Sequence, residues 1–176
     1  MAGAKIGKVV LDADVIIHFA KAGRLPDLPS ILPEFDFLLL DIVKNELSEM
    51  ILSIVKNMIT RDKSLSEVRF GDSDGEKREF ARLTSMNGMA LGRGESACMV
   101  YCKYHSDVLG SSNLKDIREY CKEQGITYLT TIDFLFFAIR RGILTKQEAT
   151  DFIKTVVDSG SHLPEVDFEK YICTKI

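Results

Sequence analysis

The sequence predicts an α/β fold in which a mostly parallel sheet of four to five strands lies between layers of helices. Two observations predict it. Short apolar runs alternate with segments of helical periodicity along most of the chain, as is typical of a parallel sheet with helices on both faces. The run Val9–Leu11 also carries no polar alternation, which is expected of a strand that is covered on both sides.

The composition indicates an ordinary globular protein. The 176 residues, 45% apolar and 28% charged, predict a single domain over residues 1–176. The formal charge of -3 excludes a global basic field for nucleic acid, although a local basic rim can still hold phosphates. We find no apolar run near the roughly 20 residues that span a bilayer, and no signal-peptide core at the start. We therefore expect no membrane partner, a cytoplasmic location and four reduced cysteines.

The first part of the chain predicts two strands around a short helix. The first strand ends at Asp12, and a helix over Val15–Ala22 follows it. Leu25–Pro33 is punctuated by prolines and predicts a loop. Phe35–Leu40 predicts the second strand, and Asp41 is placed to cap the helix that comes next.

That next helix has the clearest periodicity in the chain. Its apolar residues recur at spacings of three and four and form one stripe, with Glu46 at the edge of the stripe rather than opposite it. The stripe consists of Val43, Leu47, Met50, Ile51, Ile54, Val55 and Met58.

A change of character follows at residues 60–91. This stretch is polar and rich in turn residues, and we expect an excursion with one short helix near Glu76–Leu83. The segment Gly92–Glu95 then opens another helix, with Glu95 in its first turn. Glycines on both sides of Arg93 indicate a close approach of the backbone to another group.

The second half of the chain predicts two more strands, three more helices and a tail. Asn113 is a natural N-cap, and Thr145 with Glu148 forms a capping box. The expected strands are Asp107–Gly110 and Ile126–Thr130, and the expected helices are Leu114–Gln124, Phe134–Arg141 and the segment from Thr145 to about Asp158. The tail at 160–176 has apolar anchors at Phe168, Tyr171 and Ile172.

Four polar residues share one predicted position in this fold. Asp12 and Asn113 follow strands, whereas Glu46 and Glu95 lie in the first turns of helices. Strand carboxyl ends and helix amino ends meet at the same edge of a parallel sheet. Clustered carboxylates repel one another unless a cation lies among them, and Mg²⁺ or Mn²⁺ prefers such oxygen ligands. The sequence therefore predicts a divalent metal site at this edge.

Each of these acids also has a simpler explanation. Asp12 or Asp14 can be a helix cap, Glu46 can be a solvated acid beside the stripe, and Glu95 can serve the dipole of its helix. Taken alone, the cap explains Asp12 or Asp14 as well as the metal site does, and the solvated acid is the better explanation of Glu46.

Four segments match, in order, the motifs of one nuclease family. They are Val10–Ile17, with Asp12 before a small and then a polar residue; Val43–Leu47, with Glu46 before leucine; Gly92–Ala97, with Glu95 after two spaced glycines; and Ser111–Asn113 with Ile117, Arg118 and Gln124–Ile126. Arg140–Thr145 also fits the closing part of a bacterial or archaeal subgroup. Over about residues 8–160, the chain resembles the PIN-domain ribonucleases.

The resemblance implies a three-layer α/β/α PIN-like fold and a metal-dependent endoribonuclease related to VapC-type toxins. It implies that Asp12, Glu46 and Glu95 hold Mg²⁺ or Mn²⁺ for hydrolysis of RNA, with Asp14 behind them or at a second ion. A small protein antitoxin, bound near residues 35–91, and a homodimer are expectations by analogy.

One residue departs from the family pattern. The fourth motif usually carries Asp where this chain has Asn113, which offers an oxygen ligand but no charge. Asp116, one helical turn later, or Asp133 could compensate. A degenerate, non-catalytic module that binds RNA or a protein is therefore the main alternative function. Phosphate contacts would come from Lys44, Arg93, Lys115, Arg118 or Arg140.

Two further alternatives come from other residue types. Cys98, Cys102 and His105 lie on one helical face and are soft ligands of the kind that suit zinc, although a fourth ligand is missing. A dinucleotide-binding enzyme is disfavoured because the turn after the first strand is Asp-Ala-Asp and not rich in glycine.

Overall fold

The central sheet has five parallel strands in the order β3-β2-β1-β4-β5, counted over residues 4–85 and 92–176, which the computed structural model describes. The strands are β1 Gly7–Leu11, β2 Phe35–Leu40, β3 Ser66–Val68, β4 Val108–Gly110 and β5 Tyr128–Leu129. Helices flank the sheet, so the predicted α/β class and the three-layer arrangement are confirmed.

The order in which the chain adds strands to the sheet reverses at β1. From β1 the chain runs through β2 to β3 on one side, and β4 and β5 later extend the sheet on the other side. Val9 is paired with Phe37 of β2 and with Val108 of β4. The amide of Asp12 donates to the Gly110 carbonyl at 2.8 Å, which joins the carboxyl ends of β1 and β4. Ligands of open α/β sheets bind at such a switch point.

Nine α-helices are described in these two ranges. They are α1 Ala13–Lys21, α2 Leu28–Ile31, α3 Asp41–Lys44, α4 Glu49–Thr60, α5 Asp74–Ser85, α6 Arg93–His105, α7 Leu114–Gln124, α8 Thr131–Arg140 and α9 Lys146–Asp158. A 3-10 turn over Leu25–Asp27 precedes α2. None of the helices in the described ranges is long and apolar enough to cross a bilayer.

The core forms on both faces of β1. Val9, Val10 and Leu11 are fully buried there, as the unbroken apolar run predicted. On one side, the Phe19 ring of α1 contacts the Phe134 ring of α8 edge-to-face, with ring centroids 6.2 Å apart.

The long helix predicted from Val43 to Met58 is two helices. α3 ends at Lys44, and α4 begins only after Ser48, whose hydroxyl accepts from the Ile51 amide. Glu46 therefore lies in the turn between them and not within a helix. Asp41 is the first residue of α3 rather than its cap, and its carboxylate accepts from the amides of Ile42 and Phe70.

The break between α3 and α4 changes which face is buried. Ile51, Val55 and Met58 lie in the core, but Met50 is 77% exposed. The prediction that Met50 belongs to the buried stripe was wrong. A stripe drawn across Ser48 assumes one continuous helical phase, and the turn resets that phase.

Two segments for which the sequence predicts irregular structure contain regular elements. The Leu25–Pro33 loop holds the 3-10 turn and α2, and Leu25, Leu28 and Ile31 are buried. The excursion contains β3, which Leu65 anchors in the core and which pairs with β2. Such short elements give too few residues for a periodic pattern.

The remaining boundaries differ by a few residues. The helix predicted near Glu76–Leu83 extends over α5, and residues 86–91 of the excursion lie outside the described ranges. α1 and α8 begin two and three residues before their predicted starts, at Ala13 and Thr131. In the tail, Phe168 is buried as predicted, but Ile172 is 71% exposed and the next residue, Cys173, is buried instead.

Candidate functional site

All six residues predicted for the metal site line one cavity at the switch point of the sheet. The cavity has a volume of about 290 Å³. Its lining consists of Asp12, Ala13, Asp14, Ile17, Glu46, Gly92, Glu95, Asn113 and Asp116. The lining comes from α1, the turn after α3, the start of α6 and the start of α7. Residues far apart in sequence are thus brought together, as the sheet geometry predicted.

Asp12 lines the cavity and is the most buried of its acids, at only 4% exposed. It occupies the N-cap position of α1, so the capping explanation is correct for its place in the chain. Its Oδ1 accepts from the Ala13 amide at 2.8 Å, and its Oδ2 accepts from the Ser111 hydroxyl at 3.1 Å. Ala13 is the first helical residue, whereas a cap side chain ordinarily bonds the second or third amide. The carboxylate is therefore not used fully as a cap.

Asp14 is more strongly held by backbone amides than Asp12. Its Oδ1 accepts from the Val15 amide at 2.6 Å and its Oδ2 from the Ser112 amide at 2.7 Å. The Ser111 hydroxyl lies 3.5 Å from the same Oδ2. The Asp14 carboxylate thus ties α1 to the segment that follows β4.

Glu46 reaches the cavity through a contact with the backbone of α6. Its Oε1 accepts from the Gly94 amide at 2.8 Å. A Cβ atom added to Gly94 would lie 2.7 Å from both carboxylate oxygens of Glu46. The close approach predicted from the glycines around Arg93 is confirmed, and the approaching group is a site carboxylate.

Glu95 brings a buried oxygen without a partner into the site. The side chain is 7% exposed, and its Oε1 is buried with no hydrogen-bond partner. A buried carboxylate oxygen ordinarily accepts at least one hydrogen bond, because its desolvation is otherwise uncompensated. This unpaired oxygen is free to accept a cation in the cavity.

Asn113 and Asp116 form the outer wall of the cavity. Asn113 occupies the predicted N-cap position of α7, but its side chain makes no capping bond. Its Nδ2 instead donates to Asp116 Oδ2 at 2.8 Å. Asp116 therefore supplies the charge at this wall that Asn113 lacks.

The crowding of acids raises the pKa of several carboxyl groups. Burial, followed by the charges of Asp14 and Glu46, raises the pKa of Asp12 to about 7. Burial, followed by the charges of Asp12, Asp116 and Asp14, raises the pKa of Glu95 to about 8. Burial also raises the pKa of Asp14, against four hydrogen bonds that lower it. Bringing a cation among these groups would reverse the electrostatic cost of ionising them.

The donor set suits a hard divalent ion. It contains only oxygen ligands from carboxylates and one amide, which Mg²⁺ and Mn²⁺ prefer. As the side chains stand in residues 4–85 and 92–176, no three His, Cys, Asp or Glu groups are arranged around a common ion position.

Asp133 does not belong to this site. It is fully buried, and its carboxylate accepts from the Thr130 amide and hydroxyl, from the Tyr171 hydroxyl at 2.6 Å and from Lys175 Nζ at 2.7 Å. The hypothesis that it compensates for Asn113 is wrong, because its oxygens serve the cap of α8 and the tail.

The zinc alternative also fails in the described part of the chain. Cys98 and Cys102 are core residues, and burial raises the pKa of both thiols well above the usual range. His105 Nε2 instead lies 3.1 Å from Glu76 Oε1, and its ring stacks on Tyr101.

Sequence reasoning missed two residues that contact the acids. Ser111 and Ser112 belong to the fourth motif, but the motif by itself does not assign them to the site. The Ser111 hydroxyl bonds Asp12, and the Ser112 amide bonds Asp14. Their place directly after the strand β4, beside Asn113, was the available signal.

Comparison with known proteins identifies no family for this chain. No protein-family model matches it, and a search of curated proteins finds no significant similarity. The chemistry of the carboxylate cavity is thus the main basis for a functional hypothesis.

Proposed function

We propose that this protein is a metal-dependent endoribonuclease of the PIN type. In this proposal, Asp12, Glu46 and Glu95 hold Mg²⁺ or Mn²⁺ together with the amide oxygen of Asn113. Asp14 and Asp116 support them from the sides of the cavity. RNA as the substrate is supported by the resemblance of four ordered segments to PIN-domain ribonucleases.

The observation that carries the proposal is the orphaned, buried Glu95 Oε1 in a cavity lined by five carboxylates. Burying like charges without a cation costs stability. The raised pKa values of Asp12 and Glu95 reflect this cost, because they show that the charged form of each group is disfavoured in the fold. A merely structural cluster would gain more from apolar residues of similar volume. A divalent cation accounts for the acids and for the orphaned oxygen together.

The ion, the residues that orient its ligands and the cavity each contribute to the proposed chemistry. When bound, Mg²⁺ or Mn²⁺ would supply charge stabilisation for a phosphoryl group and a lowered pKa for an attacking water. Ser111 and Gly94 keep Asp12 and Glu46 oriented by hydrogen bonds. The cavity of about 290 Å³ suits an ion and one phosphodiester group, with the rest of the RNA outside it.

Basic residues close in sequence to the cavity lining are the candidates for RNA phosphate contacts. Arg93 opens α6 beside Gly92, and its guanidinium lies 5.2 Å above the Phe80 ring. Lys115 and Arg118 are exposed on α7. Lys44 is less suitable because it forms an ion pair with Glu67 at 2.7 Å.

The second candidate function is a non-catalytic module that binds RNA or a protein. Asn113 favours it, because its amide group is engaged with Asp116 and it adds no charge to the site. A toxin role with an antitoxin partner, a homodimer and a cytoplasmic location stay predictions from the sequence.

The test is Mn²⁺-dependent cleavage of a mixed RNA pool by the purified chain and by its variants. We expect cleavage that chelation of the metal abolishes and that Asp12→Asn removes. Asp158→Asn is the matched control, because Asp158 is an exposed acid on α9 outside the cavity lining. It should cleave like the natural chain.

The outcomes separate the two functions. Cleavage by Asn113→Asp alone would favour the binding module, made from a nuclease scaffold. If the natural chain, Asp12→Asn and Asn113→Asp are all inert and Mn²⁺ does not bind, the metal-site proposal is wrong.

A further inference from the structure

A buried chain of hydrogen bonds leads from the carboxylate cavity into the protein. The Ser112 hydroxyl donates to Thr131 Oγ1 at 2.8 Å, and His18 Nδ1 lies 2.9 Å from the same oxygen. The Thr131 amide donates back to Ser112 Oγ at 2.8 Å. Thr131 is fully buried and His18 is 5% exposed. These groups satisfy one another along a path that runs from the half-buried Ser112 to the buried Thr131 and His18.

The two hydroxyl protons suffice for donation in one direction, from Ser112 through Thr131 to His18. Ser112 donates its hydroxyl proton to Thr131, so the Thr131 hydroxyl has its own proton left to donate to His18. His18 Nδ1 can accept this proton as a neutral imidazole that carries its own proton on Nε2. Burial, followed by the charge of Lys21, lowers the pKa of His18 to about 4, in agreement with a neutral ring at neutral pH.

The chain of bonds ends on the segment that touches the acids. Ser111, Ser112 and Asn113 follow β4 and contact the carboxylates of Asp12, Asp14 and Asp116 in turn. Ser112 is held from two directions. Its amide donates to Asp14 on α1, and its hydroxyl joins Thr131 on α8. His18 lies one helical turn after Asp14 on α1, so the same helix supports both ends of this arrangement.

We propose that Thr131 and His18 are positioning residues for the carboxylate site. They act through Ser112, whose amide orients Asp14. The hydroxyl of the adjacent Ser111 orients Asp12. Residues that hydrogen-bond to ligands of an ion orient those ligands, and their loss typically weakens ion binding by about 10- to 100-fold. Thr131 and His18 lie one hydrogen bond further from the acids, behind Ser112, so their effect is smaller. The inference rests on the proposed metal site and extends it to residues outside the cavity lining.

The first test is Thr131→Val, which preserves the shape of the side chain and removes its hydroxyl. In the ion-free protein, we expect hydrogen exchange of the Ser112 amide to become at least about tenfold faster, because the segment loses its inner support. We expect the Mn²⁺ dissociation constant to rise by up to about tenfold, because Thr131 acts on the acids only through Ser112. Thr131→Ser retains the hydroxyl and should restore both values.

Two further variants make the test specific. Thr145→Val removes a capping hydroxyl at the start of α9, outside the cavity lining, and should change neither the Ser112 exchange nor the Mn²⁺ affinity. Ser112→Ala breaks the same chain of bonds from a half-buried position and replaces Thr131→Val if that variant does not fold. It should weaken Mn²⁺ binding in the same range.

The outcomes are distinguishable. Faster exchange with weaker Mn²⁺ binding supports the positioning role. Unchanged exchange, or faster exchange with unchanged Mn²⁺ affinity, overturns it while the metal site stands. If the natural chain itself binds no Mn²⁺, the proposed function is overturned and the positioning role falls with it.

Discussion

At the residue scale, the contact between Glu46 and Gly94 decides where one carboxylate of the site lies. The Glu46 carboxylate fits against the α6 backbone only because Gly94 has no side chain. Glycine in a helix costs up to about 1 kcal/mol relative to alanine. The site thus places a residue of poor helix propensity where a carboxylate must approach the backbone.

Gly94→Ala is expected to weaken Mn²⁺ binding without destabilising the fold. The added Cβ would displace the end of the Glu46 side chain, which is flexible and exposed and can move outward. Alanine also favours the helix by up to about 1 kcal/mol. Mn²⁺ titration and thermal unfolding of the ion-free protein measure the two effects separately.

Gly75→Ala is the matched control for this prediction. Gly75 also lies in a helix, and its added Cβ would meet the tip of another side chain, Tyr104, at 2.9 Å. It is not part of the cavity lining, so Mn²⁺ affinity should not change. Equal Mn²⁺ affinities for the natural chain and Gly94→Ala would show that Glu46 is not a ligand.

At the element scale, the break between α3 and α4 determines which residues of the second helix are buried. We expect Met58→Ala to lower the free energy of unfolding by about 2–5 kcal/mol, because Met58 is 1% exposed in the core. Met50→Ala is the internal control, since Met50 lies in the same helix and is 77% exposed; its effect should stay within about 0.5 kcal/mol.

Urea unfolding at neutral pH measures both methionine variants. Similar losses for the two would mean that α4 has the phase predicted from the sequence, with Met50 in the core. A large loss at Met58 alone would agree with a helix that begins after Ser48.

The start of α8 is also the anchor for the carboxyl-terminal tail. Asp133 caps α8 through Thr130 and accepts from Tyr171 and Lys175 of the tail. Lys175 also lies 4.4 Å from the Tyr128 ring. One buried carboxylate therefore joins a helix end to a segment that has no helix or strand of its own.

Asp133→Asn is expected to lower the free energy of unfolding by about 1–3 kcal/mol at neutral pH, because buried donors lose their charged acceptor. Burial raises the pKa of Asp133, but the bonds from Lys175, Thr130 and Tyr171 outweigh it and lower the pKa overall. A lowered pKa in the folded state gives stability above the ordinary value of 3.8 that is lost as the pH falls below it.

Denaturant unfolding near neutral pH and near pH 3 checks the Asp133 prediction. The difference between the natural chain and Asp133→Asn should shrink at the lower pH. Asp158→Asn, at an exposed acid, should match the natural chain at both pH values. A difference that does not depend on pH would contradict a charged role for Asp133.

At the scale of the whole molecule, the carboxylate cavity should make stability depend on pH in the opposite direction. Asp12 and Glu95 have pKa values of about 7 and about 8 in the fold, above their ordinary 3.8 and 4.5. The folded state therefore binds more protons than the unfolded state across this window. Their contribution to the free energy of unfolding falls as the pH rises from about 4 to about 8.

Mn²⁺ should stabilise the protein more at about pH 8 than at about pH 5.5, because the ion competes with protons for the same oxygens. The shift of the thermal midpoint on adding Mn²⁺, measured at both pH values, checks this. Asp12→Asn should reduce both the pH dependence and the Mn²⁺ shift. A Mn²⁺ shift that is equal at the two pH values would place the ion away from Asp12 and Glu95.

Several parts of the molecule could be predicted from its sequence. Val9–Leu11 and Phe35–Leu40 form buried strands because their apolar runs have only one compatible environment. Asp12, Glu95 and Asn113 could be assigned to one edge because strand ends and helix starts meet there in any right-handed parallel fold. β3 could not be predicted, because a strand of three residues is too short to show a pattern. It is held by the buried Leu65 and by its pairing with β2.

The sequence by itself determined the class of the fold and the edge of the sheet at which the acids gather, because periodicity and chain order are local properties. Only the tertiary structure decided which contacts hold these acids and that Asp133 lies elsewhere. It placed Asp133 with the tail, bent the chain at Glu46 towards Gly94, and put His18 and Thr131 behind Ser112. These contacts join residues distant along the chain, so no local pattern could have encoded their partners.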